Sequence, residues 1–234
     1  MQALSDFADP RGPARKRLSM QLVCFDIDGT LVDSADVDGT LYADSVRAVL
    51  GIELDSDWSR FENVSDSGIL HELVERHLPP SSRKAAAEEV RSQFVSNTRA
   101  HFAANPHSVR EIPGARALVE ALLQSPEVAV GIATGGWKET AALKLRAIGL
   151  EPDRIAMATS TDAMRRTEIM RLAESRATNG ERVAKRTYFG DGVWDQQAAR
   201  ELGYAFIGVG AAVDHNIVFP DLRDLDAILA RLGV

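Results

Sequence analysis

Short apolar runs that stop abruptly at polar turns set the rhythm of the chain from Gln21 onward. Leu22-Val23-Cys24-Phe25 is followed at once by Asp26-Ile27-Asp28-Gly29-Thr30, the pattern of a buried strand running into a polar loop. Comparable runs recur at Val128 to Ala133, Ile155 to Ala158, Arg186 to Phe189 and Tyr204 to Val209. Helix-like stretches separate them. Pro113-Gly114 opens one that runs through Leu123, and another covers about Trp137 to Ile148, with Ala141, Leu145 and Ile148 on one face. Further helices are predicted over about Thr167 to Arg176, Trp194 to Leu202 and Leu222 to Leu232. Strands alternating with helices imply right-handed crossovers and a mostly parallel sheet covered on both faces. In such sheets ligands bind beyond the carboxyl ends of the strands, so chemically active residues are expected just after them.

Residues 34 to about 110 break this rhythm. They hold no comparable apolar strand run. Leu70, Leu73, Val74 and His77 or Leu78 recur at helical spacing, and Ser82 to Ala104, rich in Ala, Glu and Arg, reads as one long helix. The expected organisation is a sheet-forming core over residues 20–33 and 111–234, interrupted by a helical insertion over 34–110. Residues 1–19 are polar and irregular and read as a flexible tail, or as an extension upstream of a start at Met20. Their basic cluster, Arg15 to Arg17, reads as solvated, and they lack the apolar core of a secretory signal.

The chain has 234 residues, enough for one domain or one core with a modest insertion. Its 27 Lys and Arg against 34 Asp and Glu give a net charge of −7, which argues against a broad electrostatic grip on nucleic acid. A single cysteine, Cys24, can form neither an internal disulfide nor a Cys-rich zinc site and fits a reducing cytoplasm. No apolar run reaches the ~18 residues of a membrane span. The five His residues show no metal-ligand spacing. Trp58, Trp137 and Trp194 read as packing residues.

Asp26, Asp28, Thr134, Asp191 and Asp195 all fall just past predicted strands. Clustered carboxylates repel one another unless something neutralises them, and hard oxygen ligands of this kind suit Mg²⁺. Thr134-Gly135-Gly136 precedes a helix, where a hydroxyl and backbone N–H groups can receive a phosphate. A metal, an anion site and a carboxylate nucleophile together describe phosphoryl transfer. Ser65-Asp66-Ser67-Gly68 reads either as a loop facing the substrate or as an ordinary helix N-cap.

DIDGTLVDS at 26–34, IATGG at 132–136 and YFGDGVWD at 188–195 resemble the first, second and fourth motifs of the haloacid dehalogenase superfamily. The resemblance covers about Gln21 to the C-terminus and points to its phosphoglycolate phosphatase-like members. It implies a Rossmann-like α/β core with an inserted α-helical cap, and Mg²⁺-dependent hydrolysis of a small phosphorylated metabolite by a cytoplasmic monomer or homodimer. Asp26 then matches the nucleophile, and Asp28 the general acid and base whose carbonyl also faces the metal. Asp191 matches a metal ligand, Asp195 a second ligand or a carboxylate behind it, and Thr134 with the Gly135 amide the phosphate cradle. The third motif departs from the pattern. Relatives place a Lys there, whereas the spacing from Asp191 falls on Arg166, with Arg165 and Lys138 as alternatives. DVDGTL at 36–41 nearly copies DIDGTL at 26–31 but lacks a preceding apolar strand, so Asp36 and Asp38 read as a polar hinge. The family also holds dehalogenases, phosphomutases and phosphonate hydrolases. The last would need a Schiff-base Lys in the insertion, where Lys84 is the only one. A non-catalytic protein that binds a phosphorylated ligand is a further alternative.

Overall fold

The apolar runs form one parallel sheet. In the computed structural model, which describes residues 20–55 and 57–234, its strands are β1 (Gln21–Phe25), β4 (Val128–Ala133), β5 (Ala156–Ala158), β6 (Lys185–Gly190), β7 (Ala205–Val209) and β8 (Val218–Phe219). The tail expected over residues 1–19 lies outside the described residues. The strand order is β5-β4-β1-β6-β7-β8, so β1 is central and the chain winds outward from it in both directions. Successive side chains of a strand point to opposite faces, and β1 uses both. Val23 and Phe25 pack with Ile132 and Phe189 under helices α4 (Ala115–Gln124), α5 (Lys138–Ala147) and α8 (Leu225–Leu232). Leu22 and Cys24 pack with Tyr188 under α6 (Arg166–Thr178) and α7 (Val193–Leu202). This two-sided cover is why β1 carries no polar side chain between Leu22 and Phe25.

The insertion is helical, with one more helix than the sequence pattern predicts. Between a two-residue strand β2 (Val32–Asp33) and its antiparallel partner β3 (Arg110–Glu111) lie α1 (Ala35–Leu50), α2 (Asp66–His77) and α3 (Pro80–Ala104). The polar hinge expected at Asp36 and Asp38 is instead the first turn of α1. Tertiary packing overrides the local pattern there. Tyr42 and Val46 of α1 are buried against Ile69, Leu70, Leu73 and Val74 of α2 and Val90 and Phe94 of α3. Gly39, a weak helix former, sits where Trp58 crosses closely: a Cβ would lie 3.3 Å from its ring. β2, β3 and β8 are too short to show in the sequence pattern.

Trp137, on the core side, completes the apolar cluster of the insertion. It is 2% exposed and packs against Tyr42 and Phe94, with ring centroids 5.8 and 5.6 Å away. Its indole Nε1–H donates to Ser67 Oγ at 2.8 Å, and its backbone N–H donates to Asp66 Oδ2 at 2.8 Å. The insertion is thereby anchored to the turn between β4 and α5. Trp137→Ala is expected to cost about 3–5 kcal/mol of stability, as for other large buried aromatics. Denaturant unfolding measures this, and a loss below about 1 kcal/mol would contradict the packing role assigned to Trp137.

Candidate active site

Register brings the chemistry together at the carboxyl edge of the sheet. Phe25, the last residue of β1, is level with Ile132 of β4 and Phe189 of β6. The next residues of these strands and their loops therefore converge. Asp26 donates its backbone N–H to Phe189 O at 2.9 Å, and Thr134 donates its own to Ala158 O at 3.2 Å. Asp26, Asp28, Thr134, Gly135, Arg166 and Asp191 all line one cavity of about 200 Å³. It lies where the strand order reverses around β1, the usual ligand position in open α/β sheets.

The acidic residues approach one another closely. Carboxylate oxygens of Asp26, Asp191 and Asp195 lie within 4.8 Å of one another. Gly29 makes part of this approach possible: its φ is +72°, and a Cβ there would stand 1.9 Å from Asp191 Oδ2. Gly190 does the same for Asp195, whose Cβ is 2.6 Å from the place a side chain would take. Burial first, then the charge of Asp195, pushes Asp26 well above the usual carboxylate range, with Arg166 opposing. Burial, Asp195 and Asp28 push Asp191 up to about 7. Repulsion among hard oxygen donors that a single guanidinium only partly offsets is the condition that a small divalent cation such as Mg²⁺ relieves. Asp26 and Asp191 have the donor chemistry to hold one.

Arg166 supplies the cation on the protein side. It opens α6, and its Nη1 donates to Asp26 Oδ1 at 3.1 Å. Its Nε lies 3.4 Å from Asp195 Oδ1. Burial alone would push the guanidinium down, but Asp195 and Asp26 outweigh it and keep it charged. Arg165 is exposed and pairs with Glu201, and Lys138 is exposed at the start of α5. Asp195 is fully buried. Its Oδ2 accepts the Gly192 N–H at 3.2 Å, and its Oδ1 accepts the Tyr188 hydroxyl at 3.3 Å. It is therefore more fully engaged by protein groups than Asp191. Thr134 Oγ1 accepts the Gly136 N–H at 3.2 Å, which fixes the turn below the cavity.

Asp28 turns toward the insertion. Ser34 Oγ donates to its Oδ1 at 2.6 Å, and Lys144 Nζ lies 2.7 Å from Oδ1 and 2.8 Å from Oδ2. Lys144 also pairs with Asp38 Oδ1 at 2.8 Å, and its side chain is 1% exposed. Burial would push Lys144 down, but Asp28 and Asp38 hold it above its ordinary range. Sequence reasoning missed this residue. The signal was there: Lys144 falls on the same helical face as Ala141 and Ile148, a charge on an apolar stripe.

The far wall comes from the insertion: Asp38, Gly39, Tyr42, Trp58, Val64, Ser65, Asp66 and Ile69. Residues 65–68 are the N-cap and first turn of α2, and Ser65 and Asp66 line the cavity. Ser65 Oγ caps α2 by accepting the Gly68 N–H at 3.1 Å, and it donates to Met164 O at 2.7 Å. Asp66 faces the cavity, and burial followed by the charge of Asp38 pushes it up to about 8. Trp58 and Trp194 also reach the cavity. Lys84 is 89% exposed on α3 and does not line it.

A family model for haloacid dehalogenase-like hydrolases matches residues 20–203. A hydrolase from Pseudomonas syringae is similar in structure, with a TM-score of 0.70 at 22% identity, over 92% of this chain and 99% of that one. β-Phosphoglucomutase from Clostridium difficile gives 0.69 at 17%, over 92% and 97%. CbbY from Rhodobacter sphaeroides, in complex with phosphate, gives 0.65 at 17%, over 88% and 96%. At these identities the likeness establishes the fold. No curated protein matches in sequence. Among the described residues, no helix is long and apolar enough to cross a membrane.

The raised carboxyls make a pH prediction. In the fold Asp26 and Asp191 retain protons that the unfolded chain releases near pH ~4. Stability in chelator should therefore fall as pH rises from roughly 4 through 7. Ligands of a metal must be deprotonated, so added Mg²⁺ should raise the melting temperature more at pH ~8 than at pH ~5.5. Thermal unfolding at the two pH values measures this, and an equal Mg²⁺ effect at both would contradict it.

Proposed function

The chain belongs to the haloacid dehalogenase-like hydrolases, and from that membership we propose that it is a Mg²⁺-dependent phosphatase acting on a small phosphate monoester through a phosphorylated Asp26. The observation that carries this reading is the buried Asp26–Arg166 contact beside Asp191, on the floor of the cavity. In this reading the Asp26 carboxylate attacks phosphorus, forming a P–O bond to its own oxygen while the ester P–O bond breaks. Asp28 gives a proton to the departing oxygen. It then takes one from the water that attacks the phosphorylated Asp26, which releases phosphate and regenerates the carboxylate. Arg166, the Thr134 hydroxyl and the Gly135 N–H hold the phosphoryl oxygens. Asp26, Asp191 and the carbonyl of Asp28 would hold Mg²⁺, which when bound offsets the repulsion between nucleophile and phosphate. Asp195 orients Arg166 from behind.

The helical insertion, residues 34–110, is the cap in this proposal. It closes the cavity over the leaving group and excludes bulk water. Arg166 is the only cation among the described residues lining the cavity, and the cap wall presents Asp38 and Asp66. A second phosphate or a carboxylate on the substrate would have no cationic partner there. This favours hydrolysis of the monophosphate of an uncharged alcohol, such as a sugar or polyol, over a bisphosphate mutase or an organic-acid phosphate. The exposed Lys84 gives a phosphonate hydrolase no Schiff-base residue in the cavity. The enzyme acts in the cytoplasm, as a monomer or homodimer.

Phosphate release from a panel of phosphorylated metabolites tests the reading. Sugar and polyol monophosphates should be hydrolysed faster than phosphoglycolate or a sugar bisphosphate, and chelator should stop turnover until Mg²⁺ is restored. Asp26→Asn should abolish turnover while the protein remains folded, because an amide cannot form the acyl phosphate. Substantial phosphatase activity in folded Asp26→Asn protein would falsify the assignment of the nucleophile.

A further inference from the structure

We propose that Lys144 is a positioning residue. It fixes the Asp28 carboxyl for proton transfer and makes that placement depend on helix α1 of the insertion. The inference rests on the reading of Asp28 as acid and base. Its own basis is the geometry of one buried ammonium. Lys144 reaches both oxygens of Asp28, at 2.7 and 2.8 Å, and Asp38 Oδ1 at 2.8 Å. It does not line the cavity, so it touches no substrate and acts through Asp28. Apart from Lys144, the side-chain hydrogen bond that Asp28 makes among the described residues comes from Ser34 Oγ, at 2.6 Å. Ser34 is itself the N-cap residue of α1. Both restraints on Asp28 therefore lead to α1: one through its cap residue, the other through Asp38 in its first turn.

Burying an ammonium is costly unless it is paired and hydrogen-bonded; here Lys144 donates to Asp28 Oδ2 at 2.8 Å and forms an ion pair with Asp38 Oδ1 at 2.8 Å. The arrangement does more than neutralise charge. A carboxyl gripped at both oxygens cannot rotate freely, and misplacement of a reacting group by about 1 Å can cost on the order of 100-fold in rate. A shift of α1 would move Asp38 and Ser34 together, and Asp28 with them. The state of the insertion would thus be read directly at the acid–base residue.

The test compares Lys144→Met with wild type on two esters: a sugar or polyol monophosphate, and 2,4-dinitrophenyl phosphate. The first leaving group needs a proton and the second does not. kcat/KM is compared because it covers the steps up to leaving-group departure and not the later hydrolysis. Lys144→Met should lower kcat/KM for the alkyl ester by roughly 30- to 1000-fold. For the dinitrophenyl ester the fall should be under about threefold. Asp38→Asn, which keeps the Lys144–Asp28 contact, should give a smaller fall in the same direction. If Lys144→Met unfolds because two buried carboxylates lose their partner, Lys144→Met/Asp38→Asn removes one of them and should show the same selective loss. Equal falls for both esters, or none for the alkyl ester, would overturn the positioning role and leave the phosphatase reading standing. Absence of wild-type turnover on both esters would overturn that reading, and this inference with it.

Discussion

Charge repulsion at the carboxyl edge of the sheet is the constraint around which the structure is organised. Asp26, Asp191 and Asp195 are held close enough for their oxygens to share one small ion, and Arg166 is the side-chain cation set among them. Nothing in local propensity favours such a cluster. It exists because β1, β4 and β6 are locked in register by apolar packing on both faces. Gly29 and Gly190 then remove the side chains that would keep the acids apart. The hydrophobic sheet supplies the stability that the site spends in bringing like charges together.

A second set of charges extends the cluster into the insertion. Lys144 lies behind Asp28 and reaches Asp38, and Asp66 accepts the backbone N–H of Trp137 next to the Thr134-Gly135-Gly136 turn. Floor and far wall of the cavity are thus tied by polar contacts, while Trp137 ties them by apolar packing. Any movement of the insertion would act on these contacts. On the proposed mechanism this is useful, because the groups that bind phosphate and the group that protonates the leaving oxygen are set by the same contacts that close the cavity.

Much of this was legible in the sequence. The core strands announce themselves because a strand covered on both faces must be continuously apolar, and the place of Asp26, Thr134 and Asp191 at the carboxyl edge follows because they come directly after such strands. The spacing that the family resemblance supplied pointed to Arg166 but left Arg165 and Lys138 open, and the contact of Arg166 with Asp26 appears only in the folded chain. What escaped was whatever depends on contacts distant in sequence. Helix α1 begins with a polar stretch that nearly repeats residues 26–31 and contains Gly39, and it is held as a helix by Tyr42 and Val46 against α2 and α3. Lys144 was passed over because a lysine within a helix ordinarily faces water. Its burial makes sense only once Asp28 and Asp38, far away in the chain, are known to meet it.

The central claim is that Asp26 carries the phosphoryl group during turnover. Borohydride reduces an acyl phosphate to the alcohol, which would convert a phosphorylated Asp26 into homoserine. Quenching the enzyme with borohydride during turnover with Mg²⁺ and a sugar monophosphate, followed by peptide sequencing by mass spectrometry, locates the modified residue. The account predicts homoserine at position 26, dependent on both substrate and metal. Homoserine at position 36 instead, or at no position under saturating turnover, would contradict it.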